Sequence, residues 1–218
     1  MKNRVITNEE YSQGITAYID SINACIEETT QLAVVVLSKS FLSPDLCFCG
    51  LMDRSVRLSQ GFISMLRDRN LTCAGALLRL QIDNCLRFYA ISIAEDEQAV
   101  VDTVLDGKSI RNLKDKSGNK MTDAYLKEQL GTYDKQLPFV YDSTSGFIHF
   151  SGTAVFQSID ACKGHTAIIQ VGGELSEKHN EALIECADAY LHYYRLFLKF
   201  MKGEAEWKQS FDESMEET

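Results

Sequence analysis

Apolar residues recur at helical spacing through most of this chain. Ile15, Ile19, Ile22, Ile26, Ala33 and Val36 predict a first helix over about 8–40, with Asn8 as its cap and Glu9 and Glu10 in the first turn, where the helix dipole favours acids. Ser43-Pro44-Asp45 breaks that pattern and starts a second helix over about 44–68, with Ser43 as N-cap and Pro44 at the first helical position. Its apolar residues are Leu51, Val56, Leu58, Phe62, Met65 and Leu66. Asp68-Arg69-Asn70 turns into a third helix from 71 to about 94, and a short fourth covers 95–105. After a loop at 106–120, residues 121–131 read as a short helix capped by Thr122 and stopped by Gly131, and Pro138 opens a turn or helix to 150. The β-rich runs TAVFQSI (153–159) and TAIIQV (166–171) suit a small hairpin. In a last helix over about 174–202, Leu183, Cys186, Tyr190, Tyr193, Phe197 and Phe200 form an apolar seam. The expected fold is mainly α: an up-down bundle of four to five long helices with a hairpin at about 153–171 before the last one. One domain spans 1–203, and 204–218 reads as a solvated acidic tail.

The third helix carries the most informative departure from this pattern. Cys73–Ala94 is apolar on nearly every side, yet Arg79, Asp83 and Arg87 fall at i, i+4 and i+8 and form one charged stripe. Charges on such a helix need partners or a cleft that uses them. Tyr141, Ser145 and His149 repeat the same spacing in VYDSTSGFIHF, so a helix there would present a matching polar stripe. Three readings follow. The two stripes form a self-satisfied network that sets helix register; they line an anion or nucleotide pocket with His149 as acid or base; or the first stripe faces solvent.

Composition narrows the function classes. A net charge of −9 disfavours general nucleic-acid binding, although Lys108, Arg111, Lys114, Lys116 and Lys120 fall within thirteen residues, as a mobile polar loop or an anion site. The N-terminus has no apolar signal-peptide core, and Leu32–Leu37 is too short to cross a membrane. Seven cysteines, mostly in apolar contexts, suit reduced thiols in a cytoplasmic protein.

The segments Leu77-Leu78-Arg79 with Asp83, and Tyr141, Ser145 and His149, resemble a group of uncharacterised bacterial helical-bundle proteins. In that group an LLRxxxE-type helix precedes a Y-x3-S-x3-H segment; here Asp83 stands in place of Glu. The resemblance covers about 45–200 and brings no established activity. More distantly, the architecture is similar to HEPN bundles, many of which are RNases with an arginine shortly before a histidine and four to six residues between them. None of His149, His165, His179 and His192 has an arginine at that distance.

Other chemistry is thin. Cys47 and Cys49 have one residue between them, and Cys162 and His165 have two, which falls short of a zinc pattern; no metal or cofactor is expected. Glu181, Glu185, Asp188 and His192 share a face of the last helix that reads as solvated. No nucleophile elbow, P-loop, Rossmann fingerprint or H-E-x-x-H is present, which inclines the reading away from an enzyme. The leading expectation is a bundle that acts through protein contacts, with a homodimer through the aromatic residues of the last helix. The alternatives are a HEPN-like protein acting on nucleotides or RNA, and a small-anion sensor using the Arg79 stripe.

Overall fold

The computed structural model describes residues 5–37, 40–163, 166–169, 171–172 and 176–216. Among these, four long helices form the bundle: α1 (Asn8–Val36), α2 (Ser43–Arg67), α3 (Leu71–Ile93) and α8 (Asn180–Glu216). Between α3 and α8 the chain makes four short helices, α4 (Glu97–Leu105), α5 (Asp123–Leu130), α6 (Leu137–Ile148) and α7 (Gly152–Ser158), then a two-stranded antiparallel hairpin, β1 (Ile159–Lys163) and β2 (Thr166–Ile169). The mainly α bundle is as expected.

Local signals place the helix starts. Thr7, not Asn8, caps α1: its hydroxyl accepts the Glu10 N–H while the Glu10 carboxylate accepts the Thr7 N–H, a reciprocal capping box. Asp45 reaches back to accept the Leu42 N–H at 2.7 Å, and Pro44 sits in the first turn of α2. Asn70 caps α3 by accepting the Cys73 N–H. The preceding Arg69 takes a positive φ of 52°, uncommon for a side-chain-bearing residue. Its guanidinium donates to Asn180 Oδ1 and the Ser176 carbonyl, tying the α2–α3 turn to the start of α8.

The alternation of an up-down bundle holds through α1, α2 and α3 and ends there. Contacts of α8 with α2 run in opposite senses, Ser59 to Tyr190 and Asp45 to Lys208. With α1 they run in the same sense, Tyr18 to Asp188 and Glu28 to Lys202, and likewise with α3, Cys85 to Tyr193 and Phe88 to Phe200. So α8 lies parallel to α1 and α3, and the excursion 94–179 carries the chain back along the bundle. Within it, α6 descends antiparallel to α3. It approaches closely because Gly75 has no side chain: a Cβ there would lie 2.5 Å from the Phe147 ring.

The core sits between the long helices. Phe62 stacks on Tyr190 at 3.8 Å between centroids, and the Tyr190 and Tyr194 hydroxyls bond Ser59 and Thr29. Tyr190, Tyr193, Tyr194 and Phe197 are all buried, so these aromatics are interior and not free to form the expected dimer surface.

Two other expectations change. TAVFQSI is α7 up to Ser158, and β1 begins only at Ile159; short apolar runs do not distinguish strand from helix by periodicity. The last helix does not stop near 202 but continues to Glu216, burying Ala205, Lys208 and Asp212 on one face of the presumed tail. No helix among the described residues is long and apolar enough to cross a membrane.

Candidate functional site

Asp83 is the hub of the charged stripe, and one of its partners comes from another helix. Arg87, one turn along α3, donates through Nε at 3.1 Å and Nη2 at 2.8 Å to Asp83 Oδ1. Arg54 of α2 donates through Nη1 to Asp83 Oδ2 at 3.2 Å and to the side-chain oxygen of Asn84. Arg87 also reaches Asp123 in the first turn of α5 at 2.5 Å. Two arginines and two aspartates thus balance across α2, α3 and α5. The network continues inward from Asn84, whose amide donates to Ser55 and Gln81. There the Gln81 Nε2 is buried without a hydrogen-bond partner among the described residues.

The second predicted stripe meets the first at one point. Arg79 lies over the Tyr141 ring, 3.4 Å from its centroid, a cation–π contact that α6 provides by packing on α3. Burial raises the Tyr141 phenol above its ordinary range, against the opposing effect of Arg79. Ser145 is turned to its own helix, donating to the Tyr141 carbonyl at 2.8 Å. His149 leaves the stripe altogether. The last residue of α6 is Ile148, His149 has extended backbone, and its exposed side chain lines a small recess with Thr72, Phe147 and Gln157 near the start of α3. The i+8 position fails because the helix ends one residue early. Neither the pocket with His149 opposite Arg79 nor a network that includes His149 is therefore assembled.

Next to the Arg54–Arg87 end of the network lies a groove of about 380 Å³. Its walls are α2 and α4 and its floor α3: Leu51, Ile91, Val100 and Ile110 line it, with Leu46, Val104 and Leu105 exposed at the rim. Arg54 and Arg87 are its charged residues. Arg54 uses only Nη1 for its bonds among the described residues, leaving Nε and Nη2 as donors. The combination of an apolar lining with a few polar groups is typical of binding sites.

The basic segment beside the groove is a built structure. Ile110–Asn112 form a 3-10 turn, and buried Asp115 accepts from the backbone of Ser117 and Asn119 and from the Tyr125 hydroxyl. The Tyr125 hydrogen bond holds the Asp115 carboxyl below its ordinary range. Glu95 N–H donates to the Lys114 carbonyl, and Lys116 N–H to that of Ile93, fastening the segment to the end of α3.

Sequence reasoning missed a second ionic site. Lys208 Nζ lies 2.5 Å from Asp45 Oδ2, with the two side chains 0% and 1% exposed. Ser40 and Asp212 bond each other nearby, and Glu204 shares a recess with Asp45, Glu97 and Trp207. Burial, reinforced by Asp45 and Glu97, pushes the Glu204 carboxyl up to about 7 against the pull of Lys208. The helical spacing of Ala205, Lys208 and Asp212 was the available signal. The last helix also presents Glu185, Asp188 and His192 to a cleft of about 880 Å³ facing α6, where His192 Nε2 pairs with Asp134 at 2.7 Å.

Among the described residues no group of three or more His, Cys, Asp or Glu side chains could hold a metal ion. His165, which could have joined the cysteines, lies outside the described residues. Comparisons with family models, curated proteins and solved structures returned no match.

Proposed function

We propose that this chain is a helical module that acts through contacts with another protein, and that the groove between α2, α3 and α4 is its working surface. The observation that carries this is a solvent-open groove of about 380 Å³ between three helices, apolar in lining, whose rim residues Leu46, Val104 and Leu105 remain exposed. The charged stripe then serves structure: Asp83 fixes α2 against α3, and Arg79 packs α6 on the same helix. Against a HEPN-like RNase reading stand the missing arginine-to-histidine spacing and the separation of His149 from the stripe.

The test is photo-cross-linking of the full chain in its native host from a reactive residue at position 104. A discrete adduct that disappears when Gly50→Trp fills the groove is the expected result. No adduct, or one that Gly50→Trp leaves unchanged, would contradict the assignment.

A further inference from the structure

Building on that assignment, we infer that the groove receives an acidic amphipathic helix of a partner protein, its apolar residues seated between α2 and α4 and a carboxylate meeting Arg54.

The shape sets the first constraint. The nine residues of α4 form a wall about 13 Å long at ~1.5 Å per residue. Anchors at i and i+7 of a docked helix span roughly 10 Å, so the groove accommodates two turns. Exposed apolar residues on both walls, Leu46 on α2 and Val104 and Leu105 on α4, extend the contact beyond the cavity itself.

Gly50 is the second constraint. It lies in the interior of α2 on the groove wall, where glycine costs about 1 kcal/mol relative to alanine. No backbone reason requires it: its φ is not positive, and a Cβ would meet nothing within 4 Å. A low wall at this point lets another backbone approach α2 closely.

Charge selects the partner. The chain is acidic, with a net charge of −9, yet the charged side chains that line the groove are the arginines Arg54 and Arg87. Arg54 has unused donors inside the groove. Arg111 follows the groove residue Ile110 and, like Lys114 and Lys120, has no carboxylate partner among the described residues. Of the acids on α4 and at its C-cap, Asp102 bonds Gln98 and Asp106 pairs with Lys108, and neither these nor Glu97 lines the groove. An arginine lining with free donors attracts carboxylates and repels basic helices.

The experiment titrates the purified full chain with three probes: a helical peptide with leucines at i, i+3 and i+7 flanked by glutamates, its glutamine counterpart, and an RNA oligomer of similar charge. The acidic peptide should bind, weaken as salt is added, and exceed the glutamine peptide by about tenfold. Arg54→Gln should reduce that preference, and Gly50→Trp should abolish binding of both peptides. Equal binding of the acidic and neutral peptides, each lost in Gly50→Trp, would overturn the charge assignment and leave the groove as a contact surface. No peptide binding with the position-104 adduct intact would overturn the helical partner alone. Displacement of the acidic peptide by RNA would overturn the protein partner in favour of nucleic acid.

Discussion

Two ionic clusters hold this bundle together, and they differ in how far water reaches them. The Asp45–Lys208 pair is sealed between α2 and α8. The Asp83 cluster is half open, with side-chain exposures of 18% for Asp83, 27% for Arg87 and 36% for Arg54. A sealed pair is costly to break because removing one partner leaves a bare charge in a low-dielectric interior. A half-open cluster lets water stand in for a lost partner, so each member matters less to stability, and donors remain for a ligand. The sealed pair therefore acts as a clasp, and the open cluster as a brace with a free side facing the groove.

Replacing one partner in each cluster sharpens this contrast. Lys208→Met should destabilise by about 3–5 kcal/mol in denaturant unfolding, with Asp45→Asn in the same chain recovering much of the loss. A loss below ~1 kcal/mol would show that the pair is not sealed in solution. Asp83→Asn should cost less, about 1–2 kcal/mol, because its arginines keep Asp123, Asn84 and water. A larger cost than that of Lys208→Met would invert the comparison.

The remaining changes probe the neighbours of each cluster. Gly50→Ala should raise stability by roughly 0.5–1 kcal/mol, since it improves a helix interior without touching a neighbour. Destabilisation would mean that the groove wall is packed in solution. Glu204, beside the clasp, gives a pH signature. Its carboxyl is raised from 4.5 to about 7, so folding favours the protonated form. Its contribution is full below the ordinary carboxylate range and is lost as pH rises through 7. Glu204→Gln should therefore melt further above the unmodified chain at pH 8.5 than at pH 6. An unchanged gap would place Glu204 in water.

The long helices were legible because their apolar spacing is local. Ile15 to Val36, Leu51 to Leu66 and Leu183 to Phe200 each declare a buried face within one segment. The partners across the bundle were not. Asp83 was visible as a charge in need of a counter-ion, but Arg54 lies 29 residues away on a helix whose orientation no single sequence specifies. Lys208 was obscured by its acidic neighbours, although Ala205, Lys208 and Asp212 kept the helical period that their burial reflects. The His149 register failed for a local reason: α6 ends at Ile148, and spacing alone does not say where a helix stops. The groove was invisible for a different reason. It forms from side chains of three helices, and its clearest local mark, Gly50, reads in sequence as an unremarked glycine inside a helix.

The most direct measurement compares stability with acidic-peptide affinity in two variants, Asp83→Asn and Gly50→Trp. Asp83→Asn should lower the unfolding free energy while still binding the peptide. Gly50→Trp should melt no lower than the unmodified chain and lose the peptide by at least about tenfold. Retained peptide binding in a folded Gly50→Trp chain would contradict the division between a structural stripe and a working groove.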